Sequence, residues 1–425
     1  MFSAIDSAYD WETPSNKSLG CFANIVGCLN VLRSIMKRIS ILLFASSLLL
    51  LSNAINANHV SAQRISAVPV DVEVPMAPTP VKADGKMHLL YELQLTNFRA
   101  KSLELTRLEV LKDEVNALPL ASYKDAELVS RLARPGAPSD LADKRIIGGG
   151  MRAVVFLEIT FDRDTDVPVA LRHRLFFKSD DTNGEERLIE SARVLISRGP
   201  PPVVGAPLRG DGWIALSALS NTNSHRRTMV VVNGKARIAQ RFATDWTRIG
   251  ADGLAFRGNP SKNANWSAYG AEVLAVANAT VVDVKDGIPE NDPTADKKAV
   301  PITLETVGGN YIILDLGNGY FAFYAHLQPK SIRVKVGNKV RRGQILALLG
   351  NSGQADAPHL HFHITDGNSP LGAEGVPYVI ESFEMQGILP SKGLLVEGGW
   401  KPQPSSTIDK RRREIPVENA VVRFP

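Results

Sequence analysis

A mainly β protein with two globular parts is predicted by three features of the 425-residue sequence. The chain is longer than one typical domain, short runs of alternating apolar and polar residues recur from His88 onward, and Gly, Pro, Asn and Asp punctuate those runs. Three prolines at 200–202 split the runs into two groups, because proline suits neither a helix interior nor a central strand. We therefore expect an N-terminal β-sandwich over residues 86–200 and a second, mostly antiparallel β domain over residues 205–398.

The segment at residues 36–62 has the pattern of a secretory signal. It opens with MKR, which carries two positive charges, and continues with the apolar run ISILLFASSLLLL. It closes with VSA at 60–62, which fits a small-x-small cleavage site. We predict export to the periplasm or the exterior, with translation starting at Met36 and residues 1–35 forming an extension outside the natural protein. A retained membrane anchor is the alternative, less favoured because the apolar stretch is short and interrupted by serines.

Two further segments are predicted to lie outside the globular parts. Residues 63–85 are rich in Pro and Val without helical periodicity, which favours an extended linker. Residues 399–425 are polar, charged and Pro-containing, so we expect a poorly ordered tail.

Charge and cysteine usage narrow the classes of partner and of site. The formal net charge of +5 is spread along the chain without a basic stripe interleaved with aromatic residues, so we expect no nucleic-acid binding. Membrane contact is expected only through the signal segment, if it stays uncleaved. Both cysteines, Cys21 and Cys28, precede the globular parts, so a metal site must use His, Asp or Glu.

The first globular part carries no cluster of reactive groups. His88 and His173 stand alone in strand-like runs, which is typical of structural histidines. The predicted sandwich is therefore expected to act as a spacer or a binding module.

The second part concentrates its histidines. His359, His361 and His363 alternate in HLHFH, and a strand points alternate side chains to one face, so all three imidazoles share that face. Such a cluster indicates a metal site, since the neutral imidazole is a preferred zinc ligand. His326 ends the strand-like run FAFYAHL, and Asp245 lies in RFATDW, so a carboxylate and another imidazole are available nearby.

The motifs YAHL, VKVGNKVRRGQILALLGNSG and HLHF resemble those of the lysostaphin-type zinc metallopeptidases with the LytM-like fold. In that family one zinc ion is held by the His and Asp of His-x-x-x-Asp and by the second His of His-x-His. The resemblance implies Asp245 and His361 as metal ligands. It also implies His326 and His359 as catalytic histidines that orient or deprotonate water.

The chain departs from the family pattern at the first ligand, where Arg241 stands in place of histidine. A guanidinium cannot coordinate zinc. Two residues are candidates for the vacant place: His225 from the preceding segment, and His363 from the same strand as His361. His225 is the better candidate, because His363 lies two residues beyond His361 and is expected to be a polar neighbour of the groove.

Two functions remain open from the sequence. The resemblance implies an exported zinc endopeptidase that acts on peptide bonds of cell-wall peptidoglycan. The alternative is an inactive, metal-free module, in which Arg241 pairs with Asp245 and the groove binds peptidoglycan peptides or recruits a partner hydrolase. The position of His225 relative to Asp245 and His361 discriminates between them.

Overall fold

The computed structural model describes most of the chain after the predicted signal. The described ranges are 68–138, 140–179, 184–393, 395, 400–401 and 409–425. The predicted extension at 1–35, the signal peptide at 36–62 and the first five residues of the linker lie outside them. Within the described ranges, no helix has the length and apolar character needed to cross a bilayer.

The N-terminal part folds into two antiparallel sheets. Its elements, in chain order, are β1 (Val70–Glu73), β2 (Val81–Ala83), β3 (Lys86–Asn97), β4 (Leu103–Lys112), β5 (Pro119–Lys124), α1 (Asp125–Arg131), β6 (Leu132–Ala133), β7 (Ile146–Ile147), β8 (Arg152–Phe161), a 3-10 turn (Asp164–Asp166), β9 (Ala170–Lys178) and β10 (Arg187–Leu195). The first sheet has the order β1-β3-β8-β6, with β2 on β3. The second has the order β10-β9-β4-β5, with β7 on β4.

The two sheets enclose one apolar core, as a β-sandwich requires. On β3, Leu89, Leu93 and Leu95 point into this core together with Tyr91. The residues between them point to the opposite face, because side chains alternate along a strand. That opposite face is also buried: Leu90 belongs to the core of the C-terminal part. The first sheet is therefore covered on both sides.

The C-terminal part is built around one long, mainly antiparallel sheet. Its elements are β11 (Val203–Val204), β12 (Gly210–Leu216), α2 (Ser224–Arg227), β13 (Val230–Val232), β14 (Lys235–Arg237), β15 (Thr244–Arg248), a 3-10 turn (Asn263–Asn265), β16 (Glu272–Leu274), β17 (Ala279–Lys285), β18 (Asn310–Gly317), β19 (Tyr320–Leu327), β20 (Lys339–Val340), β21 (Ile345–Leu348), β22 (Leu360–Thr365), β23 (Val379–Ile388), β24 (Asp409–Glu414) and β25 (Ala420–Phe424). The sheet runs β11-β23-β25-β12-β15-β22-β19-β18-β17-β20, with β24 on β23. The hairpin β13-β14 and the pair β16-β21 stand apart from it.

These two architectures confirm the predicted fold class, a mainly β chain with antiparallel sheets. The centre of the long sheet explains why its polar residues share one face. Trp246 of β15, Phe362 of β22 and Tyr324 of β19 all pack into the same core. Their neighbours on each strand therefore project to the other side of the sheet.

The prediction of a poorly ordered tail at 399–425 is wrong for residues 409–425. β25 lies inside the sheet between β12 and β23, and Val421 and Val422 are wholly buried. Phe424 packs edge-on against Trp246, with 5.1 Å between the ring centroids. The charged composition of β24 concealed this, because it is a border strand whose Arg411 is neutralised by Asp409 and Glu414.

The linker predicted at 63–85 also contains regular structure in its described residues. β1 and β2 both pair antiparallel with β3. Each is only three or four residues long, so neither produced a recognisable alternating pattern in the sequence.

The two isolated histidines of the sandwich have structural partners. The Nδ1 of His88 lies 2.9 Å from an oxygen of Glu158. His173 is wholly buried, donates from Nδ1 to the Ala192 carbonyl (2.8 Å) and accepts from the Tyr91 hydroxyl at Nε2 (2.8 Å). Burial lowers the pKa of His173 to about 4.

His173 is predicted to make the fold acid-sensitive. Since the unfolded chain protonates this residue near its ordinary pKa of about 6.5, unfolded protein binds more protons between that value and about pH 4, and stability falls as the pH drops through this window. A His173→Gln variant should lose about 2 kcal/mol less than wild type between about pH 7 and about pH 5. Urea unfolding of both proteins with chelator present measures the difference, and parallel pH dependences would contradict it.

Candidate metal centre

Two side chains of the site are placed by the pairing of β15 with β22. In this antiparallel pair Asp245 stands directly opposite His361. Both side chains point away from the apolar core, because the strand neighbours Trp246 and Phe362 point into it. The His361 Nδ1 lies 2.9 Å from Asp245 Oδ1. Sheet register therefore brings a carboxylate and an imidazole together without help from any loop.

His225 reaches the same point from outside the sheet. It lies in the one-turn helix α2, and its Nε2 is 3.3 Å from Asp245 Oδ2. Its Nδ1 is 3.1 Å from the carbonyl oxygen of Ser217, to which it donates a hydrogen bond. This bond leaves Nε2 as the free nitrogen that faces the carboxylate. Of the two candidates for the vacant ligand place, the structure therefore brings His225 to Asp245.

The three residues form a set that could hold one metal ion. One ligand atom from each of His225, Asp245 and His361 lies within 4.8 Å of the others. Ligand atoms around a tetrahedral zinc ion, at about 2.1 Å from the metal, stand about 3.4 Å apart, which is close to the spacing here. Two imidazole nitrogens and a carboxylate oxygen are also donors that zinc prefers. The residues present fit this ion.

Two more imidazoles border this set. His326 and His359 have ring centroids 4.7 Å apart, and His326 lies 5.8 Å from His361 by the same measure. The Nδ1 of His326 is 2.8 Å from the Ser352 carbonyl oxygen, and the Nδ1 of His359 is 2.8 Å from that of Ala357. In both rings Nδ1 donates its proton to a carbonyl oxygen, so Nε2 makes no hydrogen bond to that carbonyl.

A β-bulge aims His326 at the site. The register of β18 against β19 shifts between Asn310 and Ile312, and His326 has a φ of 63°. Such a left-handed conformation is uncommon for a residue with a Cβ atom. Because strand residues would otherwise alternate strictly, the bulge is what turns this side chain toward His359.

His363 lies behind His361 and outside the ligand set. Its Nδ1 is 2.8 Å from the Nε2 of His361, and its ring is wholly buried. Burial and then the neighbouring His361 hold the pKa of His363 well below its usual value, so the ring is neutral. With a metal ion on the His361 Nδ1, the proton of that ring would lie on Nε2 and be donated to the His363 Nδ1, which is within hydrogen-bond distance.

The charges of the cluster are ordered around Asp245. Burial opposes ionisation of this carboxyl, but His225 and His359 outweigh it and hold its pKa well below the usual range. Burial lowers the pKa of His225 to about 4 and that of His326 well below its ordinary value, so both are neutral. For His359 burial acts in the same direction, but the Asp245 carboxylate outweighs it and raises the pKa. His359 is thus suited to hold a proton.

Arg241 occupies a different place from the one that the inactive alternative requires. Its guanidinium donates to Glu92 from Nε (3.1 Å) and to Glu374 from Nη2 (2.8 Å), and the side chain is almost fully buried. Among the described residues, no ion pair joins Arg241 to Asp245; the carboxylate instead pairs with His225, His359 and His361. The pairing of Arg241 with Asp245 that the inactive alternative requires is therefore not formed in this part of the chain.

The cluster opens into a cleft of about 860 Å³. One wall carries Ile302 and Leu304, apolar residues that are 38% and 58% exposed, and Trp266 lies in the same lining. The polar floor is formed by the metal cluster together with His326 and His359. The cleft thus combines an apolar wall with a reactive floor, as a site for an extended organic ligand does.

Residues 264–372 match the model of Peptidase family M23. The matched range contains His326, His359 and His361, and it starts after Asp245. Together with the candidate metal ligands described above, this match indicates a protein of the metallopeptidase class. The match over residues 264–372 confirms the resemblance stated from the motifs, all of which lie inside that range.

Curated relatives match over parts of their length. The chain is 38% identical over 80 residues to the peptidoglycan DD-endopeptidase ShyB of Vibrio cholerae, a match that covers 19% of this chain and 18% of ShyB. It is 24% identical over 243 residues to ShyC of the same organism, covering 57% of this chain and 49% of ShyC. The chain thus spans about half or less of these relatives.

Solved structures show similar matches. The catalytic domain of the prophage-encoded M23 protein EnpA from Enterococcus faecalis, solved in a mutant form, is 20% identical with a TM-score of 0.24, covering 40% of this chain and 92% of that domain. The catalytic domain of lysostaphin from Staphylococcus simulans is 23% identical with a TM-score of 0.21, covering 34% and 80% respectively.

Sequence reasoning missed the residues that surround the cluster. The Ser217 and Ser352 carbonyls carry no sequence signal, because any residue supplies a backbone oxygen. Glu92 and Glu374 looked like ordinary surface charges, although both are buried against Arg241. What distinguishes them is their burial, and the alternating pattern of β3 does not show that its polar face is covered.

His363 is predicted to control the metal affinity of His361. A His363→Phe variant keeps the buried ring but removes the acceptor for the Nε2 proton, and zinc affinity should fall about 10- to 100-fold. His363→Gln restores an acceptor and should recover part of that loss. Competition titration with a zinc-binding dye measures both. Equal affinities for His363→Phe and wild type would contradict this role.

Proposed function

We propose that the protein is an exported zinc endopeptidase that cleaves peptide bonds of cell-wall peptidoglycan. The observation that carries this proposal is the grouping of His225, Asp245 and His361 within one metal-ligand distance range, next to the imidazoles of His326 and His359. A set of three protein ligands in an open cleft is typical of catalytic zinc sites, whereas structural sites are closed by four.

The substrate class is supported by the relatives. ShyB and ShyC, to which parts of the chain are similar, are both named peptidoglycan DD-endopeptidases, and residues 264–372 match a peptidase family. The cleft volume of about 860 Å³ lies in the range of ligand sites, and Ile302 and Leu304 in its lining offer apolar contact for methyl-bearing side chains.

The roles of the chain's residues follow from the geometry. His225, Asp245 and His361 would hold the zinc ion, which when bound supplies Lewis-acid polarisation of a peptide carbonyl and makes water more acidic. His326, neutral and aimed by its bulge, accepts a hydrogen bond at Nε2 and orients the water. His359, whose pKa is raised by Asp245, accepts the water proton at Nε2 and delivers it to the leaving amine nitrogen.

The alternative function, an inactive binding module, has less support. It drew its support from an ion pair between Arg241 and Asp245, and the Arg241 side chain is instead engaged by Glu92 and Glu374. The position of His225 beside Asp245 is the discriminating observation, and it favours the enzyme.

Metal content and peptide cleavage, measured on the same samples, test this function. Protein comprising Gln63–Pro425 is expected to bind about one zinc ion per chain and to release peptide termini from purified peptidoglycan, detected by mass spectrometry. The His359→Ala variant should keep its zinc but lose at least about 100-fold in kcat/KM, because only proton transfer is removed. The His225→Ala variant should bind zinc much more weakly, through Asp245 and His361 alone, and should lose its activity.

The control is His88→Ala, which removes a histidine from a carboxylate pair in the sandwich and should change neither quantity. Zinc binding without peptide release would favour the binding module. Absence of zinc from wild type would overturn the metallopeptidase.

Export is proposed on the sequence pattern of residues 36–62. Intact-mass measurement of protein recovered from the cell envelope is expected to give a mature chain that begins at Gln63. A retained segment would instead indicate a membrane anchor, and recovery in the cytosol alone would refute export.

A further inference from the structure

His225 differs from the other two ligands in how it is held. Asp245 and His361 belong to paired strands of the long sheet. His225 lies in α2, a single helical turn between β12 and β13. One turn of helix has no stability of its own, since helix nucleation is unfavourable. Other contacts must therefore fix this ligand.

The residue next to His225 supplies the main contact. Arg226 is wholly buried, and its guanidinium forms an ion pair with Glu92 of β3. It also donates from Nη2 to the Tyr91 carbonyl oxygen (2.9 Å) and lies 5.1 Å above the centroid of Phe156 of β8. All three partners belong to the first sheet of the sandwich.

The flanks of α2 are fastened to the same surface. The Asn221 Nδ2 donates to the Phe156 carbonyl oxygen (3.0 Å), and the Arg227 Nη2 donates to that of Ser130 (2.7 Å). Further along, Ile238 packs with Phe156 in a small apolar cluster. The segment that carries His225 is thus docked on the outer face of the sandwich.

Glu92 is the centre of a buried charge network. Besides Arg226 it accepts from the Nε of Arg241 (3.1 Å), and Arg241 continues to Glu374 (2.8 Å). These four side chains carry two negative and two positive charges, and Arg237 adds another positive charge, since its Nη1 lies 3.4 Å from Glu374 Oε1. Buried charges must stay hydrogen-bonded to opposite charges, so the contact between Glu92 and Arg226 restricts where α2 can lie.

We propose that the β-sandwich is part of the metal centre, with Glu92 acting through Arg226 to position His225. The inference rests on the metal site of the proposed function and deepens it: the sandwich is a support for a ligand rather than a spacer. Glu92 and Arg226 are positioning residues, because neither contacts the metal cluster directly. The alternative is that these contacts only join the two parts of the chain.

The test uses Arg226→Met in the otherwise intact protein. Methionine keeps the aliphatic length, and Glu92 retains Arg241 as a partner, so no carboxylate is left unpaired. Zinc affinity is expected to fall about 10- to 100-fold. The matched control is Arg145→Met, because the ion pairs of Arg145 with Glu104 and Asp143 lie within the sandwich; it should leave zinc affinity unchanged.

A double-mutant cycle separates positioning from general support. If Arg226 acts through His225, Arg226→Met should cause no further loss of zinc affinity in a His225→Ala background. An equal fold-loss in both backgrounds would overturn the proposal, since Arg226 would then act on the site by another route. An unchanged affinity in Arg226→Met alone would overturn it as well.

Hydrogen exchange of the metal-free protein gives a readout that does not depend on zinc. Amides of residues 217–228 should exchange faster in Arg226→Met than in wild type, while those of β15 and β22 keep their protection. Unchanged exchange at 217–228, or a uniform rise over the whole chain, would refute the positioning role. Wild type that binds no zinc would instead refute the metal site itself, so the two failures are distinguishable.

Discussion

Antiparallel pairing of β15 with β22 sets Asp245 opposite His361, and the geometry of the site depends on that register. The register is enforced from the other face, where Trp246 and Phe362 are locked in the main core. A slip of one residue would send both polar side chains into the core and both aromatic rings into the cleft. The burial of the aromatic residues therefore holds the ligands in position, although no aromatic residue contacts a metal.

A single carboxylate organises the charge of the cluster. Asp245 lies within 3.4 Å of nitrogen atoms of three histidines, and its negative charge is what allows several imidazoles to crowd together in a largely buried place. The imidazoles respond differently, since His225 is kept neutral by burial while His359 retains affinity for a proton. The same carboxylate thus lies beside one histidine that is neutral and one whose pKa is raised.

Much of the fold and half of the site could be read from the sequence. Alternation predicted the long strands of both parts, and the spacing of HLHFH predicted that His361 and His363 share a face. The short strands β1 and β2 and the charged strand β24 gave no such pattern. They form because β3 and β23 present backbone N–H and C=O groups that need hydrogen-bond partners. These groups are lined up in this way only in the folded sheet.

The rest of the site depends on contacts between distant parts of the chain. His225 was a candidate from its proximity to the motif, but Glu92 lies 133 positions before it and has a polar alternating context typical of a solvent face. No local sequence pattern indicates that another part of the chain covers this face. The partners of Arg241 could not be predicted for the same reason, because they come from β3 and from the loop after β22.

The contacts between the two parts show that the residues matched to the family model do not include the whole candidate site. Residues 264–372 include the histidine-rich strand but neither Asp245 nor His225, and the docking surface for α2 lies in β3 and β8, still further upstream. Recombination at the proline-rich junction, with a sandwich taken from an unrelated protein, would preserve every motif while leaving Arg226 and Arg241 facing a foreign surface. If the sandwich supports His225 as proposed, the two parts have to be inherited together, and the junction between them is a poor site for recombination.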